Sequence, residues 1–241
     1  MDDYVRARPG YPDAVIAMLV EAFGLAPSWT IADVGAGTGI SAEMLLRHGA
    51  SVIAIEPNEA MRAAASARLG SRPGFRAAAG SAEATSLHAG SVDAVVAAQA
   101  FHWFDRAAFR RECRRILKDG GIVVLLWNVR RVAASPFDAA YEELIRAHAT
   151  DYLKVRHENV SEEELASFFA GPFERGVFDN PQRMDAAALR ARLTSSSYVP
   201  APGDPRCDAM LADLDSLFAR HAVDGRVVMS YDTRVYAGAL S

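Results

Sequence analysis

The sequence has little lysine and little cysteine. Of the 26 basic residues only Lys118 and Lys154 are lysines. Together with the many alanines, this reads as compositional bias rather than a functional signal. There are 30 acidic residues, so the formal net charge is −4. That balance gives no general pull toward nucleic acid or an anionic membrane. The two cysteines, Cys113 and Cys207, stand far apart with no CxxC or histidine spacing. This argues against a disulfide framework or a metal site and suits a reducing, cytoplasmic setting. No apolar run approaches the ~20 residues needed to span a membrane. The opening "MDDYVRARPG" is charged and lacks the apolar stretch of a secretory signal. Internal repeats and low-complexity tracts are also missing.

What is present is an ordinary globular composition, 51% hydrophobic and 23% charged over 241 residues. The length suits one large α/β domain or two small ones. Strand-like and helix-like stretches alternate over the first half. Helical periodicity covers 13–25, and "TIADV" (30–34) is a short buried-type strand. A helix over 40–49, a strand "SVIAI" (51–55) and a helix over 58–70 with Asn58 as cap follow. Then come a strand at 75–80, a strand at 92–99, an amphipathic helix over 106–121 and a strand "IVVLLWN" (122–128). This alternation predicts a doubly wound, Rossmann-like α/β sheet. Its strands are continuously apolar, as expected where helices cover both faces.

After Asn128 the pattern loosens. Helical stretches are expected near 136–153, 161–170, 185–194 and 207–222, with strands at 173–179 and 226–238 and a loop at 199–205. The expected organisation is a single domain over 1–241. Residues 1–29 cap the site, 30–128 form the core, 129–172 make a helical lid insertion after the fifth strand, and 173–241 complete the sheet. A small helical cap domain is the alternative for the second half.

The loop "DVGAGTGI" (33–40) sits between a strand and a helix. Gly35, Gly37 and Gly39 let the chain turn sharply and let a ligand approach where a Cβ would clash. The helix start offers free N–H groups to an anion. A dinucleotide fingerprint would need glycine at position 40, which is Ile40. Glu56 ends the second strand, 21 positions beyond Gly35. A carboxylate there can accept both hydroxyls of an adenosine ribose. The stretch "QAFHWFD" (99–105) begins at the carboxyl end of the fourth strand, where open α/β sheets bind ligands. His102 is the residue there whose ordinary pKa suits a general base. Against that stands the reading, preferred for a lone histidine, of a packing or hydrogen-bonding residue that orders the loop. No N/D-P-P-Y/F tetrapeptide occurs at this place to grip a flipped base.

Together "DVGAGTG", "IEPNEAM", "GSAEATSL" and "VDAVVAAQAFHWFD" resemble the class I S-adenosylmethionine-dependent methyltransferases of the type 11 group. Within it, "YVRARPGYP", "AQAFHWFD" and "SYDTRVY" are similar to a subgroup that includes trans-aconitate methyltransferase-like enzymes. The resemblance covers 4–128 well and the rest more loosely. It implies a seven-stranded sheet, mostly parallel with the last strand antiparallel. It also implies that Asp33, Gly35, Ala36, Gly37 and Gly39 hold the methionine part of the cofactor and Glu56 the ribose. Pro57, Asn58, Met61, Ala82 and Glu83 would lie by the adenine, and Gln99 and Ala100 near the methyl. Tyr4 and Arg8 would clamp the cofactor carboxylate, a match for the planar guanidinium. Tyr11, His102, Trp103, Trp127 and Arg130 would face the acceptor, with Arg131 a second candidate and Phe104 a packing anchor.

The expected activity is methyl transfer from S-adenosyl-L-methionine to a small molecule, leaving S-adenosyl-L-homocysteine. Nucleic-acid and membrane partners are not expected, and the chain would be a monomer or homodimer. The alternatives are an inactive cofactor-binding protein and an NAD(P)-dependent oxidoreductase. The second is disfavoured by Ile40 and by the lack of a Tyr-x-x-x-Lys pair.

Overall fold

The computed structural model describes residues 8–149, 160–196, 198–200 and 203–241. These group into two compact units. One comprises Gly10–Asn128, Glu158–Phe178 and Thr233–Ser241; the other comprises Met1–Pro9, Val129–His157 and Asp179–Asp232, as far as these are described.

The larger unit opens with α1 (Asp13–Phe23), which ends at Gly24 in left-handed conformation. Strand β1 (Thr30–Val34) runs into the glycine loop and α2 (Ile40–Arg47). Next come β2 (Ser51–Ile55), α3 (Glu59–Leu69), β3 (Phe75–Ala78) and β4 (Val92–Ala98). The Asn58 side chain caps α3 by accepting from the Met61 N–H, as its place in the sequence predicts. A single 3-10 turn (Phe101–Trp103) precedes α4 (Arg106–Ile116), which Asp105 caps. Strand β5 (Leu117–Arg130) follows directly. The helix expected over 106–121 therefore stops five residues early. Leu117 is extended and pairs with Val92, and the ladder shifts register between Val92 and Ala94. The glycines at 120 and 121 lie inside this irregular strand entry and do not stop a helix.

Seven strands form one sheet in the order β3-β2-β1-β4-β5-β9-β6, with β6 (Glu174–Asp179) and β9 (Tyr231–Gly238). The pairs β1–β2, β1–β4, β2–β3 and β4–β5 are parallel. β9 runs the other way. Its start meets the ends of its neighbours, where Arg131 N–H donates to the Ser230 carbonyl and Asn180 N–H to the Tyr231 carbonyl. The seven-stranded, mostly parallel sheet with one antiparallel strand is thus the expected one. In β1, Ile31 lies level with Val52 and Ala94, and with alternate residues to either face both sides are apolar. One side packs Val15, Leu19, Ala42 and Leu45 against Ile31, Val52, Val96 and Val124. The helix α6 (Glu162–Phe169), with Ser161 and Glu164 in a reciprocal capping box, also belongs to this unit.

The second unit holds α5 (Pro136–His148), β7 (Gln182–Met184), α7 (Ala186–Thr194), α8 (Pro205–His221) and β8 (Val227–Met229). Its helices start on Ser135, Asp185 and Asp204 caps, two of them followed by proline at the first helical position. Its core is built from Phe137, Tyr141, Ile145, Leu189, Leu193, Met210 and Leu214. The single strand expected over 226–238 is two strands. β8 pairs with β7 in an antiparallel ladder of its own, and β9 joins the large sheet. β7 is too short for alternation to be read from sequence. No helix among the described residues is long and apolar enough to cross a membrane.

Candidate functional site

The loop after β1 is held by its neighbours at both ends. The N–H groups of Gly35 and Ala36 both donate to the Ile55 carbonyl, at 2.9 and 3.1 Å. The Gly37 N–H donates to Glu56 Oε2 at 2.9 Å. Glu56 Oε1 accepts from the Asn58 N–H at 2.9 Å, so the carboxylate bridges the two βα turns. A carboxylate has about four lone-pair positions; two are used, leaving acceptor capacity toward a ligand. Arg62 reaches back from α3 to the Glu56 carbonyl at 2.8 Å and fixes the same turn.

Gly35 and Gly37 are required for different reasons. At Gly35 (φ 69°) a Cβ would lie 2.7 Å from the Ala100 Cβ and 3.2 Å from the Phe104 ring. The loop therefore presses directly on the chain after β4. At Gly37 (φ 56°) a Cβ would meet nothing within 4 Å, so the space beside it is open. Alanine at Gly37 should cost only the left-handed backbone penalty, about 1–2 kcal/mol. Gly35→Ala should cost more because it adds the clash. Thermal unfolding of the two variants reads the difference, and equal midpoints would contradict the packing of Gly35 on Ala100.

Asp33 is fully buried at the end of β1. Its Oδ2 accepts from Ser41 Oγ at 2.7 Å, while Oδ1 is buried with no hydrogen-bond partner. Burial pushes its pKa up to about 7, against the Ser41 hydroxyl and the nearby Ala42 N–H and with help from the Glu56 charge. The unpaired Oδ1 leaves this carboxyl with open acceptor positions. Ser41 was not anticipated, although a hydroxyl two residues after the last glycine of the loop was the available signal.

Around this centre lie most of the remaining residues expected from sequence. Met61 and Pro57 flank the Glu56 turn, and Met61 is partly buried. Ala82 is buried, and Glu83 accepts from the Asp105 N–H at 3.1 Å. The loop carrying them is tied down by Glu112, which accepts from Thr85 N–H at 2.8 Å and Thr85 Oγ1 at 2.5 Å. Arg115 holds that carboxylate well below its usual range, at about 2, aided by Thr85 against the cost of burial. Gln99 leaves β4 with φ 56°; its Nε2 donates to the Asn128 carbonyl at 3.1 Å, and its Oε1 is buried without a partner. Ala100 is buried against Gly35.

The aromatic stretch divides sharply. Phe101 is fully buried, edge-on to Phe109, Trp127 and Phe168 with centroids 6.1, 6.1 and 4.8 Å away. His102 is partly buried and its ring centroid lies 4.9 Å from that of Trp103, which is 72% exposed. Phe104 packs on Phe109 at 4.8 Å, as expected of an anchor. Phe101 is the principal anchor, however, which sequence reading missed. Trp127 is buried between Phe101 and Tyr236, with its Nε1 unpaired. Tyr11 is buried among α1 and sheet residues. Arg8 and Arg130 belong to the other unit, where Arg8 donates to the Ser195 carbonyl at 2.7 Å and Arg130 pairs with Glu142 at 2.5 Å. Arg131 is engaged by Asp179 and Asp232. Tyr4 lies outside the described residues. Among the described residues no cluster of His, Cys, Asp and Glu has the grouping to hold a metal ion.

Residues 32–125 match the model of a methyltransferase domain family. An uncharacterized methyltransferase of Mycobacterium tuberculosis is 39% identical over 127 residues, 53% of this chain and 49% of that protein. One from Schizosaccharomyces pombe is 33% identical over 129 residues, 53% of this chain and 50% of that protein. The match thus spans about half the length of these curated relatives. Among solved structures, a candidate type II methyltransferase of Anaeromyxobacter dehalogenans superposes with TM-score 0.66 at 23% identity, covering 97% of this chain and 98% of that one. A geranyl diphosphate C-methyltransferase of Streptomyces coelicolor, solved with S-adenosyl-L-homocysteine, does so with TM-score 0.52 at 18% identity, covering 95% and 76%. Residues 32–125 thus match a methyltransferase domain family, within a sheet that has the fold of the class I S-adenosylmethionine-dependent methyltransferases.

Proposed function

We propose that the chain binds S-adenosyl-L-methionine at the glycine loop and transfers its methyl group to a small-molecule acceptor. The observation that carries this reading is the pairing of Glu56 with the Gly37 N–H beside open space, next to a buried Asp33 with one oxygen unpaired. Those groups fit the cofactor's chemistry. Asp33 Oδ1 suits its ammonium group, the backbone at 35–39 its methionine chain, and the free lone pairs of Glu56 its ribose hydroxyls. Pro57, Met61, Ala82 and Glu83 would border the adenine, and Gln99 and Ala100 the sulfonium end.

When bound, the sulfonium supplies an activated methyl group. What this chain has to provide is alignment, which can supply several kcal/mol on its own. Gln99 and Ala100 are held for that purpose by the Asn128 carbonyl and by contact with Gly35. His102 and Trp103, on the turn after β4, are the acceptor-side candidates. His102 would act as a base only for an acceptor that must lose a proton. A small acceptor is favoured by the net charge of −4 and by the lack of a base-gripping tetrapeptide. The finer likeness to trans-aconitate methyltransferase-like enzymes, and a substrate-choosing role for 129–172, belong to this proposal as well.

Calorimetric titration with S-adenosyl-L-homocysteine tests the cofactor assignment. Glu56→Ala should weaken binding by about 1–3 kcal/mol, the scale of hydrogen bonds to a charged group. Unchanged affinity in that variant would remove Glu56 from the site. Binding of NADH in place of S-adenosyl-L-homocysteine would replace this reading with an oxidoreductase.

A further inference from the structure

The large sheet ends in β3 on one side and β6 on the other. A strand at an edge carries a row of N–H and C=O groups that its own sheet does not pair, a template for a further strand. β6 reads "ERGVFD" (174–179), and its residues alternate in the face they present. Gly176 and Phe178 look toward α1. A Cβ on Gly176 would lie 2.6 Å from the Met18 sulfur and 2.7 Å from the Phe178 ring, and Phe178 packs on the core that includes Val15 and Leu19. Arg175, Val177 and Asp179 take the opposite face. All of them are exposed, Val177 to 64%.

The same alternation decides where the backbone groups point. The Asn180 N–H, just past β6, donates to the Tyr231 carbonyl on β9 at 2.9 Å. Residues 178, 176 and 174 share that direction, so Arg175, Val177 and Asp179 turn their N–H and C=O groups away from β9. The outward backbone and the exposed side chains thus belong to the same residues. Their order is positive, apolar, negative. Antiparallel pairing with an identical strand about Val177 sets Val177 beside its own copy and Arg175 beside the partner's Asp179, and the reverse. Moving the centre two residues either way sets Arg175 on Arg175, or Asp179 on Asp179, with like charges directly opposite. The present partners do not block this pairing. Arg175 meets Glu162 at 2.5 Å and Asp179 meets Arg131 at 2.6 Å, with these side chains largely exposed. Exposed pairs of this kind hold little energy, and both groups keep capacity for a second partner.

We propose that β6 is a homodimer interface, in which two copies of this chain pair their β6 strands antiparallel about Val177. The occupant is a second copy because the charge order of the strand is complementary to its own reverse. A two-fold pairing of this kind also closes on itself and covers both exposed strands. A single short ladder buries less than a standard interface, so the dimer should be concentration-dependent. Its charge pairs are exposed, so salt should weaken it. β4, β5 and β9 separate β6 from β1, whose end carries the glycine loop, so the interface stands or falls independently of the methyl-transfer reading.

The test is sedimentation velocity of the full chain from about 1 to 500 μM, the range in which a small interface should assemble. The mass should rise from one copy toward two and fall back in high salt. Val177→Pro deletes an outward N–H without touching the β9 ladder, so that variant should stay monomeric. Arg175→Asp and Asp179→Arg each place like charges opposite one another and should each weaken dimerisation about tenfold. Combining them restores opposite charges and should bring the dimer back to within about threefold of the wild type. Unfolding midpoints near the wild-type value show that the variants are folded, and if Val177→Pro fails to fold the charge exchange decides. The proposal is overturned if the wild type stays monomeric throughout, which would leave the edge to another occupant. It is also overturned if species larger than two copies form, as head-to-tail pairing of β6 with β3 would give, if Asp179→Arg dimerises like the wild type, or if the double exchange fails to restore the dimer.

Discussion

Asp33→Asn should make the ligand-free protein more stable at pH 8, less stable near pH 4 by about the 1–3 kcal/mol that its unpartnered amide costs, and sharply weaken cofactor binding. Asp33 titrates at about 7 in the folded chain against an ordinary value of 3.8. Because the folded value is raised, the protonated form carries no penalty below about pH 4. As pH rises from there toward 7, the unfolded chain releases the proton and the folded chain retains it, so stability falls. Each pKa unit is worth about 1.4 kcal/mol, so the full cost above pH 7 is on the order of 4 kcal/mol. Asparagine keeps an oxygen for the Ser41 hydroxyl but brings an amide that needs partners of its own. The expected net gain at pH 8 is therefore smaller, about 1–3 kcal/mol. Binding should respond in the opposite sense. A ligand ammonium beside Oδ1 favours the ionised carboxylate, so wild-type affinity for S-adenosyl-L-homocysteine should rise by up to tenfold per pH unit between pH 5 and 7 and then level off. In Asp33→Asn the affinity at pH 8 should drop by roughly 10–100-fold, and the slope below pH 7 should vanish. Denaturant melts and calorimetry across that range measure both. An identical pH slope in the two proteins would show that Asp33 does not meet the ligand.

Much of this centre is visible in the chain because it is local. Asp33, the glycine loop and Glu56 lie on two consecutive strand ends, and parallel pairing of β1 with β2 places them side by side. Spacing alone suffices for that. The Asn58 cap is equally local. The misreadings have physical causes of a different kind. Leu117 to Gly121 read as the end of a helix because Gly120 and Gly121 resemble a stop signal, yet pairing with β4 draws Leu117 into a strand. Residues 226–238 alternate throughout, and nothing in alternation says that Ser230 separates strands of two different sheets. Arg8 and Arg130 have partners that the sequence does not reveal, the Ser195 carbonyl and Glu142. The partners of Asp33 and Thr85 come from Ser41 and Glu112, a contact over 8 residues and one over 27. Such side-chain pairings leave no periodic trace.

Neighbouring rings in "FHWF" should behave oppositely when removed. Phe101→Ala should destabilise the protein by about 3–5 kcal/mol, the range for deleting a buried aromatic ring. Phe101 is fully buried and touches three other rings edge-on, so its loss leaves a cavity lined by Phe109, Trp127 and Phe168. Those partners come from α4, β5 and α6, separate elements that cannot all collapse into the space at once. Trp103, two positions on, is 72% exposed and, among the described residues, has the His102 ring beside it at 4.9 Å. Trp103→Ala should therefore alter stability by no more than about 0.5 kcal/mol, as for surface positions generally. If Trp103 faces the acceptor, that variant should raise the acceptor KM while S-adenosyl-L-homocysteine affinity stays at the wild-type value. Urea melts separate the two variants. A loss of several kcal/mol in Trp103→Ala, or little loss in Phe101→Ala, would invert the assignment of which ring holds the turn and which one is left for binding.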